Sequence, residues 1–563
     1  MLLAPAVAAL CIACGGPAGE PATLVLRGGT VVTLDETRPR AEALAMRDGT
    51  VVFVGDDREV ERRIGPDTEV IDLDGRTAVP GLADAHVHLE KLGRVRMNLD
   101  LTVSETWEEI VQQVAQAVKE TPTGRWIYGR GWHQDKWASA PDHPVDGYPV
   151  HDTLSSVSPQ HPVLLRHASG HGAMVNRSAM ERLGIAVDTA DPLGGVIVRD
   201  ANGRATGMML EKAEDPFRDA FREDGESLGA EEARAVRKRE FELAFEECLA
   251  KGLTSVHQAG LSFDDIDVLT ELYEQAPPGV RVHVMIDADF EMTPELLDRY
   301  RRTDDPWINV RAIKQYMDGA LGSRGAWLLE PYDDLPDSVG APVNSLEELE
   351  QSARLALTHD YQFAVHAIGD RGNRELLDLY ERVTAAAPDP TALRWRIEHA
   401  QHLADSDIPR FAERGVIASI QTCHCTSDAP WVPHRLGEQR SADGAYPWRK
   451  LIDSGALVVG GTDAPVEDID PIRNFHSAVT RATADGNLFH PEQRMTREEA
   501  LRSITVDAAY AAFDETRRGR LAPGQLADVV VLSGNPLTVP DDEILGIQVD
   551  LTIVDGVIRY RRP

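Results

Sequence analysis

Two histidines one residue apart, His86 and His88, close an apolar run in "GLADAHVHLEK". On a strand, side chains at i and i+2 point to the same side, so this pair would offer two imidazoles to one point. Four similar positions follow: Lys314 in "INVRAIKQYMDG", His366 in "QFAVHAIGD", His399 in "LRWRIEHAQ" and Asp463 in "ALVVGGTDAPV". Taken singly, each has a bland reading: a satisfied core histidine, a turn aspartate, or a lysine reaching a carboxylate such as Asp318. Taken together they are six metal-compatible groups closing successive apolar runs. Imidazole and carboxylate suit zinc and related divalent ions, so the pattern predicts a site for one or two metals.

The elements that must position these groups are short. Eight candidate strands can be read: "TAVPGLADAHVHL", "LTSVHQAG", "VRVHVMIDADF", "INVRAIKQYMDG", "QFAVHAIGD", "LRWRIEHAQ", "GVIASIQ" and "ALVVGGTDAPV". Helical stretches such as "SLEELEQSARLALTHD" and "RGNRELLDLYERVTAA" separate several of them. Eight strands with helical crossovers predict an α/β fold built on a (β/α)8 TIM-like barrel, whose catalytic groups project from the C-terminal strand ends. Short β runs with Gly and Asp-Gly turns occupy 22–80 and return in 511–563. They are expected to pair into a small discontinuous β-sandwich domain flanking a barrel over 81–510. A long gap after the first barrel strand, about 90–250, reads as an insertion shaping the substrate pocket.

With the strands in place, the motifs carry a resemblance. "VPGLADAHVHL", "KQYMDGALGSRGA", "HAIGDRGN", "RIEHAQ", "GAYPWRKLIDSGA", "GGTDAPVEDIDP" and "GRLAPGQLADVVVL" occur in the order found in the amidohydrolase superfamily. They resemble its amidohydrolase family 3 branch, which includes N-substituted formamide deformylases. The resemblance implies that His86 and His88 bind a buried metal and that His366 and His399 bind a more exposed one. It implies that Lys314 is carboxylated by CO2 to a bridging carbamate. An uncarboxylated ammonium would be strongly repelled by two divalent ions. It also implies that Asp463 binds metal, orients a metal-activated hydroxide and carries its proton to the leaving nitrogen. His171 in "RHASGHGAMVN" and His424 in "SIQTCHCTSD" match family segments at the pocket. Arg324 in "GALGSRGA" either orients a substrate carbonyl or carboxylate or forms a surface ion pair. Cys423 and Cys425 flank His424, but the further ligands of a separate metal cluster are missing.

The implied reaction is metal-dependent hydrolysis of a non-peptide C–N bond, amide or formamide, in a small molecule. Ester, lactone, carbamate or cyclic amide hydrolysis, or a deamination, would use the same groups. A lipid-anchored binding protein on a retired barrel is the reading of a different class, and retention of all six ligand-type residues argues against it. The formal charge of −34, from 58 basic and 92 acidic residues, argues against nucleic acid as a partner. The N-terminal "MLLAPAVAALCIACGGPAGEP", taken as segment 1–21, is too short and interrupted to span a bilayer. Its "CIAC" resembles a bacterial lipobox with Cys14 as the lipidated residue, although Cys11 stands at position −3 and no basic residue precedes the run. That would place the chain on the cell envelope, at its periplasmic or extracellular face. A cleaved signal or a plain tail with a cytoplasmic protein are the other readings. No coiled-coil heptads mark an oligomer interface, and a homo-oligomer stays open.

Overall fold

The computed structural model describes residues 20–563 except 103, 135–136, 169–171, 188, 193 and 289–291. Cys14 and His171 therefore lie outside the described residues. The chain forms two compact units: one runs to His88 and resumes at Phe245, and the other is Leu89–Ala244.

In the first unit, eight parallel strands follow one another in chain order around a barrel. They are β1 (Leu82–Val87), β2 (Leu253–Leu261), β3 (Arg281–Asp287), β4 (Ile308–Tyr316), β5 (Gln362–Ala367), β6 (Arg396–His399), β7 (Ile417–Gln421) and β8 (Val458–Gly461). These strands are buried on both faces, which is why they read as near-continuous apolar runs without a two-residue period. The ring closes between β1 and β8. Asp463 N–H donates to His86 O at 2.8 Å, and His88 N–H donates to Ala464 O at 2.9 Å. Asp84 pins the same seam: its carboxylate accepts from the His86 and Thr462 amides, both at 3.0 Å, and from the Thr462 hydroxyl. The expected helices lie between strands as Leu346–Thr358, opened by a Ser345/Glu348 capping box, and Asp370–Thr384.

The sandwich is assembled from both ends of the chain. A four-stranded and a six-stranded sheet share a core of Leu24, Leu26, Leu44, Met46, Val529, Val531, Leu551 and Ile553, each pair at i, i+2 on one strand face. Thr77–Pro80 pairs antiparallel with Val529–Leu532, so the N- and C-terminal segments lie side by side in one sheet. The Asp-Gly turns behave as read. Asp48 and Gly49 have φ of 50° and 74°, the left-handed pair required by a two-residue hairpin of the primed type.

One strand reading needs correction in detail. The run "TAVPGLADAHVHL" is two strands: Thr77–Pro80 belongs to the sandwich and only Leu82–Val87 to the barrel. Gly81 sits between them because a Cβ there would fall 2.1 Å from Thr254 Oγ1. The inserted segment is a compact unit in its own right. Leu89–Ala244 carries its own six-stranded sheet, with helix Trp107–Glu120 burying Trp107, Ile110 and Val114 against Ile127, Val163 and Leu165.

Candidate active site

At the C-terminal ends of five barrel strands the side chains singled out above gather. His86 Nε2 and His88 Nε2 lie 3.6 Å and 3.3 Å from Asp463 Oδ1. The His399 ring is 5.1 Å from His86 and 4.4 Å from His366, centre to centre. His86, His399 and Asp463 each offer a ligand atom within 4.8 Å of the others. Lys314 is buried at the end of β4, with its Nζ 3.8 Å from the centre of the Tyr316 ring. Its charge acts on His86, His366 and His399 alike.

Hydrogen bonds fix which nitrogen of each imidazole faces this centre. His86 Nδ1 contacts Glu398 Oε2 at 2.5 Å, and His399 Nδ1 contacts Gln421 Oε1 at 2.6 Å. A carboxylate and an amide oxygen can only accept, so both rings carry their proton on Nδ1 and keep a lone pair on Nε2. Of His366, Nε2 is buried without a hydrogen-bond partner among the described residues. Burial holds all three imidazoles below their ordinary value, His366 down to about 3, so they stand neutral. Burial alone would raise the Asp463 carboxyl, but the His88 hydrogen bond and the surrounding histidines hold it well below the usual carboxylate range. The outcome is a carboxylate oxygen facing the unprotonated Nε2 of His86 at 3.6 Å. Lone pairs facing one another at this spacing repel unless a cation lies between them, so the donor set fits a divalent metal.

The backbone around the centre is strained. His399, Ala400 and Asp463 adopt φ of 74°, 40° and 58°, a region that non-glycine residues enter at a cost of about 1–3 kcal/mol each. Such strain concentrates where side chains must be aimed rather than merely packed.

His424, on the short helix Thr422–Asp428 after β7, stacks on His399 at 6.1 Å. Arg324 is engaged elsewhere: Nε and Nη2 fork the Asp334 carboxylate at 3.1 and 2.8 Å, and Arg435 binds the same group. That pair is the surface ion pair read as one alternative for this arginine. The thiols of Cys423 and Cys425 are pushed up by burial to about 12 and about 11, which suits structural residues rather than ligands.

Sequence reasoning missed Glu398, Arg396, Gln421 and Asp84. Glu398 and Arg396 stand inside the quoted "RIEHAQ", and two opposite charges at i, i+2 in an otherwise apolar strand were the available signal. Asp318 accepts the amides of Trp327, Ile368 and Gly369 at 2.8–2.9 Å, which fixes the turn after β5. Burial pushes its carboxyl up to about 7.

A parallel barrel with neutral imidazoles, a lysine and a carboxylate at its strand ends belongs to the class of barrel hydrolases. Comparison with known proteins narrows the class. The amidohydrolase family model matches residues 69–560. The chain is 32% identical to the putative amidohydrolase YtcJ of Bacillus subtilis, over 96% of this chain and 99% of that one. It is 28% identical to N-substituted formamide deformylase of Arthrobacter pascens, over 96% and 98%. The crystal structure of an uncharacterized metal-dependent hydrolase from Pyrococcus furiosus superposes with a TM-score of 0.68 at 28% identity, over 92% of this chain and all of that one. The chain belongs to the amidohydrolase family.

Proposed function

We propose that this chain is a metal-dependent hydrolase of a non-peptide C–N bond, of the amide or formamide type, in a small molecule. One observation carries the reading: His86 Nε2, deprotonated by its Nδ1 bond to Glu398, faces the ionised Asp463 at 3.6 Å. His86, His88 and Asp463 would hold one divalent ion, and His366 and His399 a second, with Lys314 as a further ligand if it is carboxylated. Such an ion supplies Lewis acidity and lowers the pKa of water toward neutrality.

The chain's own groups do the rest. Asp463, ionised and held between His86 and His88, is placed to accept a proton from water and return it to the leaving nitrogen. Gln421 and Glu398 keep the two ligand rings from rotating. His424, stacked on His399, offers a half-buried ring to the substrate. The formamide deformylase among the relatives supports the amide-type bond, and the Pyrococcus hydrolase supports the metal.

The test is a panel of N-formyl, N-acyl amino acid, carbamate and ester substrates presented to the purified full chain with zinc restored after chelation. Amide or formamide hydrolysis is expected, abolished by chelator and reduced about 10²- to 10⁴-fold by Asp463→Asn. Activity confined to esters would overturn the C–N assignment. Activity indifferent to chelator would overturn the metal.

A further inference from the structure

Beneath the ligand layer the barrel lumen is polar. Arg396 on β6 is fully buried and reaches four strands. Its Nε and Nη2 fork Glu398 at 2.7 and 3.0 Å, Nη2 also reaches Ala85 O on β1 and Ser419 Oγ on β7, and Nη1 meets His257 Nδ1 on β2 at 2.9 Å. Strands β2 and β6 are not neighbours in the sheet, so the last bond crosses the lumen.

An arginine only donates. His257 Nδ1 must therefore accept, and burial beside Arg396 holds this imidazole neutral, well below its ordinary value. Its proton sits on Nε2, a buried donor that meets no acceptor among the described residues. On β3 the neighbouring His283, in register with His257, presents the complement. The Gln362 amide nitrogen donates to Arg394 O and Ala511 O, which turns its Oε1 to His283 Nε2 at 3.4 Å. His283 Nε2 therefore carries the proton, and its buried Nδ1 is a lone pair without a partner among the described residues. One unmatched donor and one unmatched acceptor lie on rings 5.1 Å apart. The two tautomers are each forced by a different neighbour, and they are the pair that can satisfy one another.

We propose that His257 is a positioning residue for the metal site: it holds Arg396, which holds Glu398, which fixes the face that His86 turns toward Asp463. This rests on the metal reading above. The chain of hydrogen bonds runs from β2 through β6 to β1, and each link has one possible donor and one possible acceptor. Among the described residues no hydrogen bond joins His257 to a proposed ligand, so its effect is carried through the orientation of the arginine fork. A ligand imidazole whose outer hydrogen bond is loosened binds metal about 10- to 100-fold more weakly.

Two substitutions separate positioning from packing. Asparagine places an amide oxygen where Nδ1 stands, whereas glutamine carries its amide out to the Nε2 position and removes the acceptor from Arg396. Zinc affinity is measured on the full chain by chelator competition for wild type, His257→Asn, His257→Gln and Asp463→Ala, with unfolding of each metal-free chain in parallel. The expected result is zinc binding within threefold of wild type for His257→Asn and at least tenfold weaker for His257→Gln. Equal affinities in the two variants would overturn the proposal. Wild type that binds no more zinc than Asp463→Ala would instead overturn the metal reading and the proposal with it. Should His257→Gln fail to fold, Arg396→Lys replaces it: lysine keeps the charge beside Glu398 but cannot span Glu398, Ala85 and His257. The same tenfold loss is expected, and its absence would overturn the relay.

Discussion

Replacing Arg396 by methionine is the sharpest test of how the barrel interior is held. The side chain is similar in length and apolar, so packing is largely kept while the charge is removed. Glu398 then remains fully buried as a carboxylate whose one remaining partner among the described residues is the His86 Nδ1–H. In the wild type, burial alone would raise that carboxyl, but Arg396 and His86 hold it well below the usual range. Breaking a buried pair by deleting one partner costs about 3–5 kcal/mol. Ala85 O, Ser419 Oγ and His257 Nδ1 lose their donor as well, which places the expected loss toward the upper end. For a unit of roughly 400 residues, with unfolding entropy of about 2 cal/mol/K per residue, this lowers Tm by about 4–6 °C. The assay is denaturant unfolding of chelated protein, so that metal binding does not add to stability. The double variant Arg396→Met/Glu398→Leu should regain about 2–3 kcal/mol, because the stranded charge goes with its partner. A single variant within about 1 kcal/mol of wild type would refute the buried ion pair as the barrel's internal brace.

Other perturbations have equally definite outcomes. Asp84→Ala removes the acceptor for three donors at the β1–β8 seam, so it should cost about 3 kcal/mol or more and speed hydrogen exchange at the Thr462 amide; unchanged exchange there would exclude a role in closure. Burial raises Asp507 from 3.8 to about 6, against the pull of Arg502 and Arg520. For an acid raised on folding, stability is complete below the unfolded value and is lost as pH rises through about 6. Asp507→Asn should therefore stabilise the fold by up to about 3 kcal/mol near pH 8 and by almost nothing near pH 3, as read by Tm at the two pH values. His424→Ala should lower kcat/KM about 10-fold or more while zinc content stays at the wild-type level, since its ring stacks on His399 without bonding it; loss of zinc would make it a ligand instead.

The barrel was legible in the chain because its strands are covered on both faces, which leaves unbroken apolar runs that end where a polar side chain must emerge. His86 and His88 stood out because a two-residue spacing on a strand already dictates a shared direction. The terminal β runs announced their hairpins through Asp-Gly turns, whose backbone few other residues adopt at low cost. All of this is local: period, turn chemistry and the type of residue closing a strand.

What only the tertiary structure decided is contact between positions distant along the chain. Glu398 meets His86 across 312 residues, and that bond, rather than any motif, selects the nitrogen that His86 turns to the site. Gly81 divides what reads as one strand because Thr254 lies against it, a neighbour set by the fold alone. Asp334 stands in the Arg324 fork, a partner that no local pattern names. The tautomers of His257 and His283 are likewise fixed by Arg396 and Gln362, on strands remote in sequence. A residue's type sets which hydrogen bonds it can make, but only folding decides which partner stands at the other end.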